Sequence, residues 1–317
     1  MGHPECPQGL KRIPRVTNYD FCLAWNWEYD TDFARILEQA CEARGLRLLH
    51  VTPGNLMNVL EALEKGEVGF SAFLDRASEA DIRFLPLVRW ASGQAVYRLN
   101  PYDRAVHAMN KATMHLEFIT AGIHTPYTII LAPYDEQAAL PPLDLSPLGA
   151  RFTIKPAHGG GGEGVIIEAT SLDQVLQARL DYPADYYLLQ AHIVPARLGD
   201  RPGWFRVICC AGDIYPCWWD VNTHVYVPVS EEEQQTYGLL PLYSTTQVIA
   251  HVSRLDIFST EIAVTSPGLF VAVDYVNDQI DLRLKSAAND GVPDHIVQNI
   301  ARRLVELVAS HIPVQPV

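Results

Sequence analysis

The residues with the clearest chemical promise form one run, Phe152-Thr153-Ile154-Lys155-Pro156-Ala157-His158-Gly159-Gly160-Gly161-Gly162-Glu163-Gly164-Val165. A strand pattern ends near a lysine, four glycines follow, and a second strand pattern begins. Glycines let backbone N–H groups approach phosphate oxygens with no Cβ in the way, and a lysine neutralises part of the phosphate charge. The run reads as a phosphate-covering loop, against the bland alternative of a hairpin that is merely glycine-rich. Gly159, Gly161 and Gly164 satisfy G-x-G-x-x-G, but that fingerprint must open a helix, and Val165-Ile166-Ile167-Glu168 is strand-like. No G-x-x-x-x-G-K-[ST] occurs.

Other reactive residue types are scattered. Cys209 and Cys210 adjoin in an apolar strand pattern, where an inert buried thiol is a better reading than a nucleophile. Cys217-Trp218-Trp219-Asp220-Val221-Asn222-Thr223-His224 offers aromatic walls with a polar end, suited to a substrate pocket or simply to core packing. Glu28, Asp30 and Asp32 either cap a helix or face a cleft. H-E-x-x-H, G-x-S-x-G and the kinase catalytic-loop signature are missing.

These residues sit in an ordinary globular composition. The chain has 317 residues, 48% hydrophobic and 19% charged, enough for a buried core in two or three units. Its 24 Lys and Arg against 37 Asp and Glu give a net charge of −13, which opposes nucleic acid or an anionic membrane as a partner. The six cysteines form no C-x-x-C pair, as expected of a reducing, cytoplasmic setting. The first residues hold no apolar run of signal-peptide length and read as a tail, and no segment is apolar for the 18 residues a membrane helix needs.

The elements that must position the loop begin as β-α-β-α: an apolar run Phe21 to Trp27, a helix from Thr31 or Asp32 to Gly45, a strand Leu46 to Val51 and a helix Asn55 to Lys65. Such alternation predicts a parallel sheet. A strand Val96 to Leu99, a single helix Arg104 to Thr120 and a strand Thr128 to Leu131 follow. Residues 133–147 are proline-rich and read as an exposed connection. Beyond Arg151, short strands (Arg151 to Lys155, Gly164 to Glu168, Tyr186 to Gln190, Arg206 to Cys210, Leu269 to Val276) and helices near Ser171 to Leu180 and Pro293 to Ser310 predict a mixed α+β unit.

In this order the features resemble the ATP-grasp superfamily, closest to the branch of the ribosomal-protein glutamate ligase and glutathione synthetase. The matching residues are Val96 to Asn100, then Asn110-Lys111, then Ala121-Gly122-Ile123-His124-Thr125-Pro126-Tyr127-Thr128. Lys155 precedes the glycine loop, and Tyr187 to Ile193 is similar to the family's adenine hinge. Arg206 matches the arginine of its "Asp-x-Arg" strand, and Asp274 in Phe270 to Val276 matches its magnesium-binding aspartate. The resemblance spans roughly residues 96–317. It implies an ATP-grasp fold, α/β and α+β, with a tail (1–17), a small parallel-sheet α/β domain (18–101) and the ATP-grasp domain (102–317).

The resemblance further implies an ADP-forming ligase that joins a carboxylate to an amine, a small molecule or a peptide, through an acylphosphate, with ATP and Mg²⁺. Lys111 and Lys155 would meet ATP phosphates, Gly159, Gly160, Gly161 and Gly162 would cover them, and Gln190, Ala191, His192 and Ile193 would frame adenine. Arg206, with Lys155, would be catalytic. Homodimers are common in the superfamily, but no exposed apolar stripe marks an interface. Two departures bear on this. Trp204 replaces the aspartate of "Asp-x-Arg". The family's "Glu-x-Asn" pair has no clear counterpart after Asp274: a strand placing Asp281, Arg283 and Lys285 on one face would set cations at the ligand positions. Sliding the alignment offers Asn289 and Asp290 beside Asp274, although Asn289-Asp290-Gly291 is also turn chemistry. The cations leave open a nucleotide-binding protein without catalysis, and a small-molecule kinase is a third reading.

Overall fold

The computed structural model describes residues 16–266 and 268–312. Most of the expected tail, including Cys6, lies outside the described residues. Strand β1 (Thr17–Trp25) follows directly, and Phe21, Cys22, Leu23 and Ala24 are all fully buried. A continuous apolar run suits a strand covered on both faces. It lies inside a parallel sheet ordered β2 (Leu48–Val51), β1, β3 (Val68–Arg76), β4 (Tyr97–Leu99). Helices α1 (Thr31–Ala43), α2 (Leu56–Glu64) and α3 (Leu85–Ser92) make the crossovers, so β3 and α3 add to the expected β-α-β-α opening.

Helix α1 buries Phe33, Ala34, Leu37 and Cys41, a face of helical period, and Gly45 at φ +70° leads the chain out of it. Neither Thr31 nor Asp32 caps it, since Thr31 is the first helical residue. Asp30 is buried and accepts from Arg76 Nε and a terminal nitrogen at 3.0 and 2.7 Å, and Arg76 also donates to Ile280 O at 2.9 Å. Asp30 is therefore structural, tying the first sheet to a distant segment.

The single helix expected over 104–120 is two helices, α4 (Tyr102–Met109) and α5 (Lys111–Thr120). Asn110, at φ −75° and ψ 100°, leaves the helical region, and its side chain accepts the Thr113 N–H at 2.9 Å. That break puts Lys111 at the start of α5.

Two antiparallel sheets follow. The smaller is ordered β5 (Thr128–Leu131), β8 (Tyr187–Ala191), β6 (Phe152–Pro156), β7 (Ile166–Ala169), with α6 (Leu172–Asp181) packed on it. Between β5 and β6 the only regular element is a short 3₁₀ turn, Ser146–Leu148, as expected of the proline-rich connection. After a two-residue pair β9 (Arg197–Leu198) and β10 (Arg201–Pro202) come β11 (Trp204–Cys210), β12 (Asp213–Trp219), β13 (Tyr226–Pro228), α7 (Glu231–Thr236), α8 (Leu240–Ser253), β14 (Ile257–Val264) and β15 (Phe270–Asn277). The larger sheet runs β13, β12, β11, β14, β15.

Ile208, Cys210, Cys217 and Ile257 of that sheet share one core with Phe21, Leu23 and Leu37 of the first unit and with Ile296 to Val308 of the last helix, α9 (Asp294–His311). The expected strand through Asp281, Arg283 and Lys285 does not form. Apart from one bridge between Leu284 and Val292 the segment is irregular, because no strand runs beside it. Its apolar alternation still sends Ile280, Leu282 and Leu284 into that core. Among the described residues, no helix is long and apolar enough to cross a membrane.

Candidate active site

A cleft of about 880 Å³ runs between the two antiparallel sheets. Lys111, Lys155, the four consecutive glycines, Gln190 to Ile193 and Asp274 all line it, so strands and loops distant in sequence converge there. Asn289 and Asp290 do not line it. Asp290 accepts from Arg283 at 2.8 Å, and the Asn289 carbonyl accepts from Lys285 Nζ. Arg283 and Lys285 are thus committed to the turn that carries those residues.

The glycine loop joins β6 to β7. Gly159, Gly161 and Gly162 have φ of 103°, 61° and 81°, a backbone that residues with a Cβ rarely adopt. The N–H groups of Gly159 to Gly162 make no hydrogen bond among the described residues and are free to meet an anion. Lys111 donates to Gly159 O at 2.5 Å, and its own N–H donates to Ala157 O at 2.9 Å, so α5 is docked to the loop's root. His158 braces the other side, its N–H donating to Asp185 at 2.9 Å and its Nδ1 pairing with the same carboxylate at 2.8 Å. At the end of β8, the backbone groups of His192 and Ile193 are likewise unpaired among the described residues, as a hinge that holds a purine edge requires. Gln190 contributes structure instead: its side chain donates to Tyr275 Oη at 2.7 Å and Thr128 Oγ1 at 3.0 Å.

Lys155 leaves β6 toward the larger sheet. Its ammonium lies 3.9 Å from Asp274 Oδ1, donates to Val273 O at 3.3 Å, and sits 5.2 Å from the centre of the Tyr275 ring. Only 7% of the residue is exposed, and burial pulls its pKa down against the opposing pull of Asp274. The Tyr275 hydroxyl also pairs with His115 Nδ1 at 2.8 Å.

The register of β14 on β15 sets Glu261 directly opposite Asp274. This second carboxylate is the residue that sequence reasoning missed. Asn277 completes the cluster, donating to Asp274 Oδ2 at 3.1 Å, and both Glu261 and Asn277 line the cleft. Burial raises the pKa of Glu261 despite the neighbouring Arg206. For Asp274 burial pushes the same way, but the ammoniums of Lys155 and Lys111 prevail and hold it low. Two facing carboxylates and an amide oxygen are a hard-oxygen donor set suited to Mg²⁺, which takes one or two protein carboxylates and completes its shell with phosphate and water. No cluster of three or more His, Cys, Asp or Glu exists among the described residues, so a larger all-protein cage is not on offer there. The signal for Glu261 in the sequence is the lone charged residue of the strand Ile257–Val264.

Arg206 is directly across β11 from Glu261 and donates to it at 3.0 Å, with Ser259 Oγ at 3.2 and 3.3 Å. It stands behind Glu261 and does not itself line the cleft. Trp204, Trp218, Trp219, Asp220, Asn222 and Thr223 form the far wall, although Trp218 and Trp219 are nearly buried and present little surface. Cys209 and Cys210 are buried, their thiols pushed up by burial, Cys209 to about 11, and they take no part.

A parallel-sheet unit leading into two antiparallel sheets that close on a glycine-covered cleft is the ATP-grasp fold. The chain is similar to a solved RimK-domain ATP-grasp protein of Sphaerobacter thermophilus at 19% identity and TM-score 0.60, over 90% of this chain and 98% of that one. It is similar to D-cycloserine synthetase DcsG at 16% identity and TM-score 0.60, over 91% and 99%. Likeness to D-alanine–D-alanine ligase of Bacillus anthracis, solved with ATP, is 11% in identity and 0.60 in TM-score, over 93% and 97%. No protein-family model and no curated protein sequence matches the chain.

Proposed function

We propose that this chain is an ATP-dependent ligase that joins a carboxylate to an amine, with residues 18–101 as a leading α/β domain and 102–317 as the ATP-grasp unit. The observation that carries the reading is the convergence, in one cleft, of the unpaired glycine N–H groups, Lys111, Lys155 and the facing carboxylates Glu261 and Asp274. The relatives in fold support it: two are named as a synthetase and a ligase, and a macrocyclase of the same fold was solved bound to a precursor peptide.

In this reading the Gly159 to Gly162 amides and Lys111 bind the outer phosphates of ATP, Lys155 binds an inner one, and His192 and Ile193 hold adenine through the backbone, while Gln190 and Ala191, paired in the sheet, set the hinge in place. Asp274, Glu261 and Asn277 hold Mg²⁺, a metal set that replaces Asn289 and Asp290. Bound there, Mg²⁺ would neutralise phosphate charge. A substrate carboxylate oxygen attacks the γ-phosphorus and ADP leaves; the amine nitrogen then attacks the acyl carbon, phosphate leaves, and the nitrogen sheds a proton. The chain's part is positioning and charge compensation, which dominate phosphoryl transfer. With Arg283 and Lys285 bound to their own turn, the cations that favoured a non-catalytic nucleotide sensor are not at the candidate metal cluster. The described cysteines are free and buried, in keeping with the cytoplasmic setting we assign.

Incubation with MgATP, pooled carboxylates and hydroxylamine is expected to release ADP and yield hydroxamates. Nucleotide binding with no turnover across carboxylate and amine pools would overturn the ligase reading.

A further inference from the structure

Trp204 stands where the family pattern puts an aspartate, and the structure gives it a polar job. Its indole Nε1–H donates to Glu261 Oε2 at 3.0 Å, while Arg206 donates to the other oxygen, Oε1, at 3.0 Å. Trp204 and Arg206 alternate on one face of β11, and the ladder to β14 sets them opposite Ala263 and Glu261. Arg206 is itself held by Ser259 and lies 5.0 Å from the centre of the Trp219 ring. One donor on each oxygen fixes the rotation of the carboxylate. Each oxygen keeps a second lone pair, which a cation can use.

We propose that Trp204 is a positioning residue that holds Glu261 in the orientation needed to bind a divalent cation between β14 and β15. The inference rests on the metal cluster assigned above. Its physical content lies in the kind of donor. A buried carboxylate needs hydrogen bonds to stay ionised, and a second cationic donor would repel the incoming metal. An indole N–H orients the anion and adds no charge. Arg206 and Lys155 already balance the two charges of the Glu261 and Asp274 pair, so a further cationic donor in place of Trp204 would leave the site positive before the metal arrived. Partners that orient a metal's ligands are typically worth about 10- to 100-fold in metal affinity.

The test is Mn²⁺ binding, read by the loss of its free-ion EPR signal in the presence of a non-hydrolysable ATP analogue. Trp204→Phe keeps the ring and removes the donor; Trp204→His keeps a ring N–H. The expected result is a loss of roughly tenfold in Mn²⁺ affinity for the Phe variant, partly restored in the His variant. A Phe variant within twofold of the parent, while the parent binds Mn²⁺, overturns the positioning role and leaves the ligase reading standing. A parent that binds the nucleotide but no Mn²⁺ overturns both this inference and the metal assignment beneath it. A measurement on the parent guards against a variant that does not fold. In ¹⁵N-labelled protein the Trp204 indole N–H resonance is expected to shift when Mg²⁺ is added with the analogue, and a Trp204 resonance that stays in place as nucleotide and metal bind overturns the proposal.

Discussion

The two walls of the cleft are built by opposite means. On the β6–β7 side the loop is exposed, has unpaired amides, and depends on glycines at positive φ; nothing lies within 4 Å of a Cβ placed on Gly160, Gly161 or Gly162. On the β14–β15 side every functional atom is fixed: Glu261 by Trp204 and Arg206, Asp274 by Asn277 and Lys155, and Lys155 in turn by the Tyr275 ring that His115 and Gln190 hold. One wall can adapt to a nucleotide's phosphates, and the other sets where charge must lie. Preorganised charge is where catalytic energy is concentrated, so substitutions on the fixed wall should cost more activity than those on the exposed one.

The largest effect is expected at Asp274. Asp274→Asn should lower kcat/KM by about 100- to 1000-fold, measured by coupled ADP release. Loss of less than tenfold would break the contrast between the walls. Lys155→Met should come next, weakening nucleotide binding by roughly 100-fold in calorimetry. The same change should lower the melting temperature, because it leaves the facing Asp274 and Glu261 carboxylates with one counter-charge fewer. Gly164→Ala probes the loop's root. There an added Cβ would meet Tyr182 Cε2 at 2.7 Å and Pro156 Cγ at 3.1 Å at φ +70°, so chemical denaturation should show a loss of about 1–3 kcal/mol.

His115 sharpens the comparison through pH. Burial, with help from Lys155, lowers its pKa from 6.5 to about 4. A folded-state pKa below the unfolded one means that the unfolded chain binds the proton more readily. The stability tied to this neutral imidazole is therefore complete above about pH 6.5 and is lost as pH falls toward 4. Between pH 7 and pH 5 the parent should lose on the order of 2 kcal/mol that His115→Asn does not, as read by urea unfolding at the two pH values. The smallest effect is expected at Gly160, which has an ordinary φ and open space. Gly160→Ala should change stability by less than about 0.5 kcal/mol and leave the fold intact.

The same contrast explains what could be read from the sequence. Four glycines in a row have few structural uses and follow closely on Lys155, so the adaptable wall, and with it one cation of the fixed wall, is visible as a motif. Lys111 and Asp274 follow from the order of features around it. The fixed wall is made by register: Glu261 meets Asp274 only because β14 and β15 pair in one alignment, and a lone acid in a strand gives no sign of its partner. Searching downstream of Asp274 for a second ligand leads to Asn289 and Asp290, which belong to a turn closed by Arg283 and Lys285. The break at Asn110 is hidden for a similar reason. Helical periodicity runs through Ala105, Ala108, Ala112 and Leu116, and only the side-chain bond to the Thr113 N–H restarts the helix and sets Lys111 against the loop.

The two walls together make up the proposed magnesium–nucleotide site. Calorimetric titration of the protein with a non-hydrolysable ATP analogue, with and without Mg²⁺, tests it most directly. Binding in both conditions, tighter with Mg²⁺, is the expected result. Binding that ignores Mg²⁺ would contradict the role given to Glu261 and Asp274, and no binding in either condition would contradict the nucleotide site itself.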